Sequence, residues 1–205
     1  MDAFGEALKQ FLYNLTGSSA LTVLIVSMFP LVELKGAIPV GEALGLELFQ
    51  SARLAFLGST IICVPVFFGL LPIFNLLKRW KPLGRIIERV EGVFISKADG
   101  VARRFKGKGG NERRVLALGV YAFVAIPLPL TGVWTGTAIS VFLGLKFKEC
   151  ILPLVLGNLT AGGIITLITW LFKDYVEYII TGMLIIAIVM LIIFVIRIAR
   201  ERRAA

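Results

Sequence analysis

The chain has 205 residues, of which 58% are hydrophobic and 17% are charged, and its mean hydropathy is +0.89. Soluble domains are usually about 45–50% apolar and about 25% charged, so the composition excludes an ordinary soluble domain and a disordered chain. The length predicts a single domain, residues 1–205. The net charge of +9 suggests nucleic acid at first sight, so its meaning depends on where the bases lie.

Residues 1–17 carry apolar side chains at helical spacing. This stripe predicts a helix that lies in the membrane interface. Its members are Phe4, Leu8, Phe11, Leu12 and Leu15.

Residues 20–49 are apolar but interrupted by charges, glycines and prolines. An apolar run of about a dozen residues is more often re-entrant or interfacial than spanning. Broken backbone at membrane depth also needs protein or a polar cavity around it. We therefore predict a first re-entrant hairpin, a helix–break–helix unit with backbone breaks at Pro30, Gly36 and Pro39. The alternative is one full span over residues 11–32, in which case this hairpin does not exist.

A transmembrane helix is predicted at residues 52–77, and a basic segment follows at residues 78–114. The apolar run has no charge after Arg53 and exceeds the roughly 20 residues that cross a bilayer. The basic segment holds twelve of the 22 bases and four acids, so it supplies +8 of the net charge of +9. Because Lys and Arg bias short loops toward the cytoplasm, this loop is predicted to be cytoplasmic. Topology and anionic lipid then explain its charge, and no nucleic-acid partner is expected.

The basic segment also contains an apolar stripe at helical spacing. It predicts an amphipathic helix on the cytoplasmic lipid surface, the alternative being a regulatory or partner-binding helix. The stripe consists of Leu83, Ile86, Ile87, Val90, Phe94, Val101 and Phe105.

Residues 115–149 form a second interrupted apolar segment. The same reasoning predicts a second re-entrant hairpin, which enters from the basic loop. Its predicted backbone breaks are Pro127, Pro129, Gly132 and Gly136.

Two further transmembrane helices are predicted at residues 151–172 and 177–196, because residues 151–172 and 178–196 contain no charge. The turn between them is acidic overall and is predicted to lie outside, which places the basic C-terminus in the cytoplasm. The expected location is the plasma membrane, with several passes.

The two hairpins resemble each other in sequence. Leu44-Gly45-Leu46 corresponds to Leu143-Gly144-Leu145 at an offset of 99 residues, and Leu57-Gly58 corresponds to Leu156-Gly157 at the same offset. Each hairpin precedes a transmembrane helix, and the two units run in opposite directions. Inverted repeats with broken helices are typical of secondary transporters. The predicted fold is therefore an all-α integral membrane protein, an inverted repeat of re-entrant helical hairpin plus transmembrane helix, with an extra C-terminal transmembrane helix.

The residue inventory excludes several enzyme classes. The chain has no histidine, which excludes Ser-His and Cys-His nucleophile pairs and histidine zinc sites. Aspartate occurs only at positions 2, 99 and 174, outside every predicted span, and no phosphate-binding loop matches. We expect no enzymatic activity, no catalytic residue, no cofactor and no metal.

The first hairpin carries three charged candidates for substrate or ion binding, Glu33, Lys35 and Glu42. A charge at the centre of a lone membrane helix costs roughly 2.5–3.5 kcal/mol, so these side chains are expected to face protein or water. In the functional interpretation Glu33 binds a proton or cation and Lys35 faces an anion. In the alternative interpretation the hairpin is shallow and the charges touch interfacial water.

The candidates in the second hairpin are Thr131, Trp134 and Thr135. The hydroxyls of the two threonines could bind substrate, or they could only hydrogen-bond backbone groups that the break leaves unpaired. Trp134 either packs or stacks on a substrate through its ring. Asn158 and Thr160 are expected to hydrogen-bond another helix rather than a ligand.

Two motifs carry a family resemblance: PLVELKGAIP from Pro30 and AIPLPLTGVWTG from Ala125. They resemble the predicted small multidrug export family of membrane proteins, over about residues 20–172. That family is distantly similar to the DedA/VTT superfamily, which has two opposed re-entrant hairpins. The resemblance implies transport, and the DedA-like relatives imply translocation of a lipid carrier or phospholipid. The second motif lacks the arginines of DedA-type motifs, which leaves Lys35 as the main intramembrane cation.

Three functions follow as hypotheses. The first is a proton- or ion-coupled secondary transporter or exporter of a small molecule, with its site between the two hairpins. The second is a lipid or lipid-carrier-phosphate translocase of DedA-like type. The third is a non-transporting membrane scaffold that docks partners through residues 78–114. The expected partners are the lipid bilayer and an unidentified small molecule or lipid. A homodimer is also expected, because the buried core of a single chain is small.

Overall fold

The computed structural model describes residues 13–14, 16–79, 81–105, 112–128 and 131–172, together with single positions between 182 and 193. Every element within this part of the chain is a helix, which confirms the predicted all-α class. The predicted interfacial helix at residues 1–17 falls almost entirely outside the described residues. The last predicted transmembrane helix, at residues 177–196, does so too.

Eight helices make up the described bundle. In chain order they are α1 Ser19–Val26, α2 Glu33–Ala43, α3 Leu48–Ile61, α4 Cys63–Lys78, α5 Lys81–Phe105, α6 Glu112–Ala125, α7 Val133–Phe142 and α8 Phe147–Leu171.

Among the described residues, two stretches are long and apolar enough to cross a membrane. Helices α3 and α4 run on as one stretch of 31 residues, Leu48–Lys78, and α8 has 25 residues. At 1.5 Å per residue both exceed the roughly 30 Å of hydrocarbon in a bilayer. Each begins four residues before its predicted span, because charges near the start do not prevent helix formation. At α8 the Glu149 carboxylate accepts a hydrogen bond from the Lys146 N–H at 2.7 Å and caps the first turn.

The two interrupted segments each form two short helices joined by a break. The first break, residues 27–32, lies between α1 and α2 and contains Pro30. The second lies between α6 and α7 and contains Pro127, and Gly132 precedes the first residue of α7. Pro129 lies outside the described residues.

Three of the predicted breaks lie inside helices, so the backbone is not broken there. The Gly36 N–H donates to the Val32 carbonyl at 3.0 Å, and the Gly136 N–H donates to the Gly132 carbonyl at 2.8 Å. Pro39 sits within α2 and removes only its own N–H from the helix. Residues 33–41 are all buried, and packing compensates for this loss.

Helices α2 and α7 end in the same turn, 99 residues apart. Gly45 has a φ of 82° and Gly144 a φ of 68°, the left-handed region that favours glycine. The Leu46 N–H donates to the Gly41 carbonyl at 3.0 Å, and the Leu145 N–H donates to the Ser140 carbonyl at 3.1 Å. Both bonds have the Schellman geometry of a helix C-terminus.

Helices α3 and α8 pack against each other and against the first helix of each interrupted segment. The Asn158 amide on α8 donates to the Ser59 hydroxyl at 2.8 Å and to the Thr60 hydroxyl at 3.1 Å on α3. A Cβ at Gly58 would overlap the Leu24 carbonyl of α1, and a Cβ at Gly157 would lie 2.9 Å from the Tyr121 carbonyl of α6. Small residues therefore permit close helix approach, as is common in membranes.

The amphipathic helix α5 packs on the bundle. Phe94 stacks on Phe142 of α7 with centroids 6.0 Å apart and lies 6.5 Å from Phe74 of α4. Lys78 and Glu91 form an ion pair that joins α4 to α5. Phe94 and Val101 of the apolar stripe thus pack against protein, and contact of α5 with lipid stays a prediction.

Lys97 on α5 lies over the Phe123 ring of α6, with its ammonium 5.9 Å from the ring centroid. Burial lowers the pKa of Lys97, because a partly desolvated ammonium loses hydration. The contact adds a cation–π attraction between α5 and α6.

Candidate functional site

Glu33 is the first residue of α2 and lies directly after the first break. Its φ of 49° is the only positive φ at a non-glycine residue within the described part of the chain. Only 5% of its surface is exposed. The left-handed backbone costs roughly 1–2 kcal/mol for a residue with a Cβ, so the surrounding structure must hold it in place.

The Glu33 carboxylate contacts the N-terminus of α7 in the other interrupted segment. One of its oxygens accepts a hydrogen bond from the Trp134 backbone N–H at 3.1 Å. Gly132, just before α7, leaves space for the carboxylate, because a Cβ there would overlap it. The unpaired N–H groups and the dipole at a helix N-terminus favour negative charge, so Glu33 occupies a site with positive potential.

Lys35 reaches the second break. Its ammonium donates to the Leu128 carbonyl at 2.7 Å and lies 3.4 Å from the Thr131 hydroxyl. It also lies 3.6 Å from a Glu33 carboxylate oxygen. The two side chains are two residues apart in sequence and would diverge on a regular helix. They meet because Glu33 occupies the first helical position with a left-handed backbone.

Trp134 hydrogen-bonds from α7 to the first break, whereas Thr131 makes hydrogen bonds within the second break. The Trp134 indole N–H donates to the Met28 carbonyl in the first break at 2.8 Å. The Thr131 hydroxyl lies 2.6 Å from the Ile126 carbonyl and 2.7 Å from the Leu128 carbonyl, and it accepts from the Leu128 N–H at 3.2 Å. Thr131 therefore satisfies broken backbone, one of the two roles predicted for it.

The structure thus brings together Glu33, Lys35, Thr131 and Trp134 from the predicted set. Both charged side chains are 7% exposed, so they contact protein rather than interfacial water. An ion pair in such surroundings needs hydrogen bonds to its remaining atoms. Here the second interrupted segment supplies them through the Trp134 N–H and the Leu128 carbonyl.

Of the other two predicted site residues, Glu42 lies away from this cluster, whereas Thr135 directly follows Trp134 in α7. Glu42 is in the last turn of α2, nine residues after Glu33 and so roughly 13 Å along the helix axis. Thr135 is buried within α7, with 8% of its surface exposed. Their assignment to substrate or ion binding stays a prediction.

Asn158 and Thr160 bind other helices, as expected. Asn158 donates to α3 through Ser59 and Thr60. Thr160 lies 3.4 Å from the Tyr121 hydroxyl of α6 and donates to the Leu156 carbonyl at 2.9 Å.

Three further residues of the site act through groups that a side-chain inventory does not reveal. Met28 and Leu128 contribute main-chain carbonyls, and Gly132 contributes the absence of a Cβ. The one available signal was the glycine placed directly before an apolar helix in the second motif. Such a glycine is typical of close approach by another group.

The described residues contain no cluster of three or more metal-ligating side chains. Cys63 and Cys150 are buried and free. The cluster around Glu33 offers one carboxylate, one ammonium and the hydrogen-bonding groups of the second interrupted segment.

These features define a helical membrane protein with charged groups held between two broken helices. The chain belongs to the family described as "Putative small multi-drug export protein", whose model matches residues 33–164. This match begins at Glu33, directly after the first break, and includes the second break, and it confirms the family resemblance seen in the two motifs. No curated protein and no solved structure matches the chain.

Proposed function

We propose that this protein is a secondary transporter that couples movement of a small molecule to a proton or another ion, with its site at the Glu33–Lys35 pair. The family description supports export of a small molecule. The single observation that carries the site is that the pair, which directly follows the first break, is bound by the second interrupted segment through the Trp134 N–H and the Leu128 carbonyl. Broken helices that meet in this way mark the binding sites of secondary transporters.

The proposed coupling follows from charge balance at the pair. In the ionised state Glu33 occupies the positive site made by Lys35 and the Trp134 N–H. A proton on Glu33 removes its charge and weakens both contacts. The ammonium and the N–H then become available to an anionic group of the substrate, and loss of the proton restores the original pair. Binding of proton and substrate is thereby linked.

We also propose that the two helix–break–helix units are re-entrant hairpins and belong to an inverted repeat. The identical turns at Gly45 and Gly144 support this, and so do the starts of α3 and α8, all 99 residues apart. Ser59 and Asn158 are also 99 residues apart, and they contact each other. Residues on a two-fold axis meet their own equivalents, so this contact is the one expected on a pseudo-two-fold axis.

The test uses purified protein in proteoliposomes with an imposed proton gradient. A panel of small organic anions and cations is first screened by thermal shift, and uptake of the best radiolabelled hit is then measured. Glu33→Gln is expected to abolish dependence on the gradient, and Lys35→Met to reduce uptake about tenfold or more, as expected for loss of a charge-assisted contact. Glu47→Gln and Lys148→Met change exposed charges outside the site and should transport normally.

Normal coupled uptake by both site variants would contradict the proposed site. Translocation of labelled phospholipid by the wild-type protein, without uptake of any solute, would instead favour a lipid translocase. Loss of function on deletion of residues 78–114, with silent Glu33 variants, would favour the scaffold hypothesis.

A further inference from the structure

A second feature lies on the side of the bundle, between α2, α3 and α8. It is a cleft of about 480 Å³, open on one side and lined almost entirely by apolar side chains. Leu34 forms part of its inner wall, and Gly162 and Gly163 form part of the α8 wall. The cleft plays no part in the proposed ion coupling. Its size is within the range of ligand sites, which are mostly apolar with a few placed polar groups.

Arg53 is the one charged residue among the described residues that line the cleft. Its Nε donates to the Phe49 carbonyl at 3.3 Å, so the side chain extends back toward the start of α3. Trp170 also lines the cleft and lies in the last turn of α8. Arginine and tryptophan near the end of apolar helices are typical of the bilayer interface, where the charged head reaches the polar layer.

The length of the cleft matches one leaflet of a bilayer. On α8 the lining extends from Leu159 to Trp170, which is eleven residue steps and so roughly 17 Å at 1.5 Å per residue. One leaflet contributes about 15 Å of the roughly 30 Å hydrocarbon core. Both flanking helices belong to the two stretches that are long enough to span a membrane, so the open side of the cleft faces lipid.

The α8 wall owes its shape to two adjacent glycines. A Cβ at Gly162 would lie 3.1 Å from Leu34, whereas a Cβ at Gly163 would meet nothing within 4 Å. Gly162 therefore serves packing between α8 and α2. Gly163 faces the open space of the cleft, and a large side chain there would fill it.

We propose that this cleft binds one anionic phospholipid of the surrounding bilayer, with an acyl chain along the apolar wall and the phosphate at Arg53. Charge complementarity argues for an anionic head group, because Arg53 is exposed and forms strong contacts with phosphate. The apolar lining, the open side and the one-leaflet length argue for an acyl chain.

The test measures lipid binding by the purified full-length protein in mild detergent. Phosphatidylglycerol and phosphatidylcholine with the same acyl chains are titrated separately. Bound lipids are counted by native mass spectrometry, and the midpoint of thermal unfolding is recorded. We expect phosphatidylglycerol to bind the wild-type protein at least about tenfold more tightly than phosphatidylcholine, as a charge-assisted arginine contact implies.

Two variants separate the head group from the chain. Arg53→Gln is expected to bind both lipids with the weaker, equal affinity, and Gly163→Leu to lose the specifically bound lipid of either kind. Lys148→Gln, an exposed base outside the cleft, and Gly92→Leu, an exposed helical glycine with open space around it, should keep the wild-type preference.

Equal binding of both lipids by the wild-type protein would overturn the proposal, and so would an unchanged preference in Arg53→Gln. If Gly163→Leu instead converts a dimer to a monomer and leaves lipid binding intact, a second copy of the chain occupies the cleft and the proposal is wrong. The readout does not involve transport, so this result is independent of the function proposed above.

Discussion

Glu33 combines three costs at one position, namely a left-handed backbone, a buried charge and a place within a broken helix. Each is offset by a particular neighbour. The Trp134 N–H and the Lys35 ammonium balance its charge, and Gly132 leaves room for it. A substitution at any one of these neighbours should therefore destabilise the Glu33 carboxylate, and not only remove the contact of the substituted residue.

Gly132→Ala tests this dependence. The φ of −87° at this position suits any L residue, so the added Cβ acts only by overlapping the Glu33 carboxylate. We expect a loss of stability of up to about 3–5 kcal/mol, the cost of leaving one charge of a buried pair unpaired. The measurement is thermal and denaturant unfolding in detergent, together with uptake in proteoliposomes.

Gly92→Ala is the matched control for that substitution. Gly92 is an exposed helical glycine on α5, and a Cβ there would meet nothing within 4 Å. Alanine should stabilise the helix by about 0.5–1 kcal/mol. Similar effects of the two substitutions would show that Gly132 does not serve Glu33.

At the level of elements, the sequence correctly predicted that there are two breaks, but it did not predict correctly all the residues that they contain. Pro30 and Pro127 lie in breaks as predicted, because proline lacks a backbone N–H and disfavours helical backbone at the residue before it. Pro39 was predicted as a break but lies inside α2, since one missing N–H is a small loss in a helix buried along most of its length. A local pattern could not reveal that burial.

At the candidate site, too, some residues could be predicted from the sequence and others could not. The sequence predicted Glu33, Lys35, Thr131 and Trp134, because charges and hydroxyls in apolar segments are conspicuous. It could not predict that Met28 and Leu128 accept bonds from the opposite segment through their carbonyls. Those contacts depend on how the two segments meet, and main-chain groups are the same at every residue.

Helix α5 offers a test of how a helix outside the two long apolar stretches stabilises the helices that it contacts, α4 and α7. Phe94→Ala removes ring contacts with α7 and α4. We expect a loss of about 2 kcal/mol, roughly half the cost for a fully buried phenylalanine, and faster amide hydrogen exchange throughout α5.

Ile95→Ala provides the comparison, because Ile95 is the next residue and is 43% exposed. Its effect should be within about 0.5 kcal/mol. Equal protection of α5 in both variants would mean that the aromatic cluster does not hold the helix on the bundle.

On the scale of the whole molecule, helices α1–α4 (residues 19–78) form one half and helices α6–α8 (residues 112–171) the other, and each half packs on the other. Helix α2 packs on α8 of the other half through Leu34 and Gly162. Helix α7 packs on α4 through Phe142 and Phe74, whose centroids are 6.4 Å apart. Because each half buries its second short helix against a long helix of the other, neither half has a complete core of its own.

The proposed inverted repeat predicts opposite exposure of two equivalent positions. Glu47 and Lys146 are both exposed, and each precedes a spanning helix by one residue. In a background where the buried Cys63 and Cys150 are replaced by serine, Glu47→Cys should react with a membrane-impermeant maleimide from outside. Lys146→Cys should react only after the membrane is permeabilised. Labelling of both positions from one side would contradict the inverted arrangement.

The contact between Ser59 and Asn158 has a consequence for the history of this fold. In an ancestor made of two identical half-chains in opposite orientations, this position would have met its own copy. Donor and acceptor roles would then have fallen on the same residue type, and no substitution could have improved one side alone. If the proposed inverted repeat arose from such halves, joining them into one chain would have let one position carry a hydroxyl while the other acquired the amide that now reaches two hydroxyls. A single gene can thus specialise the two sides of an axis that a symmetric pair must keep alike.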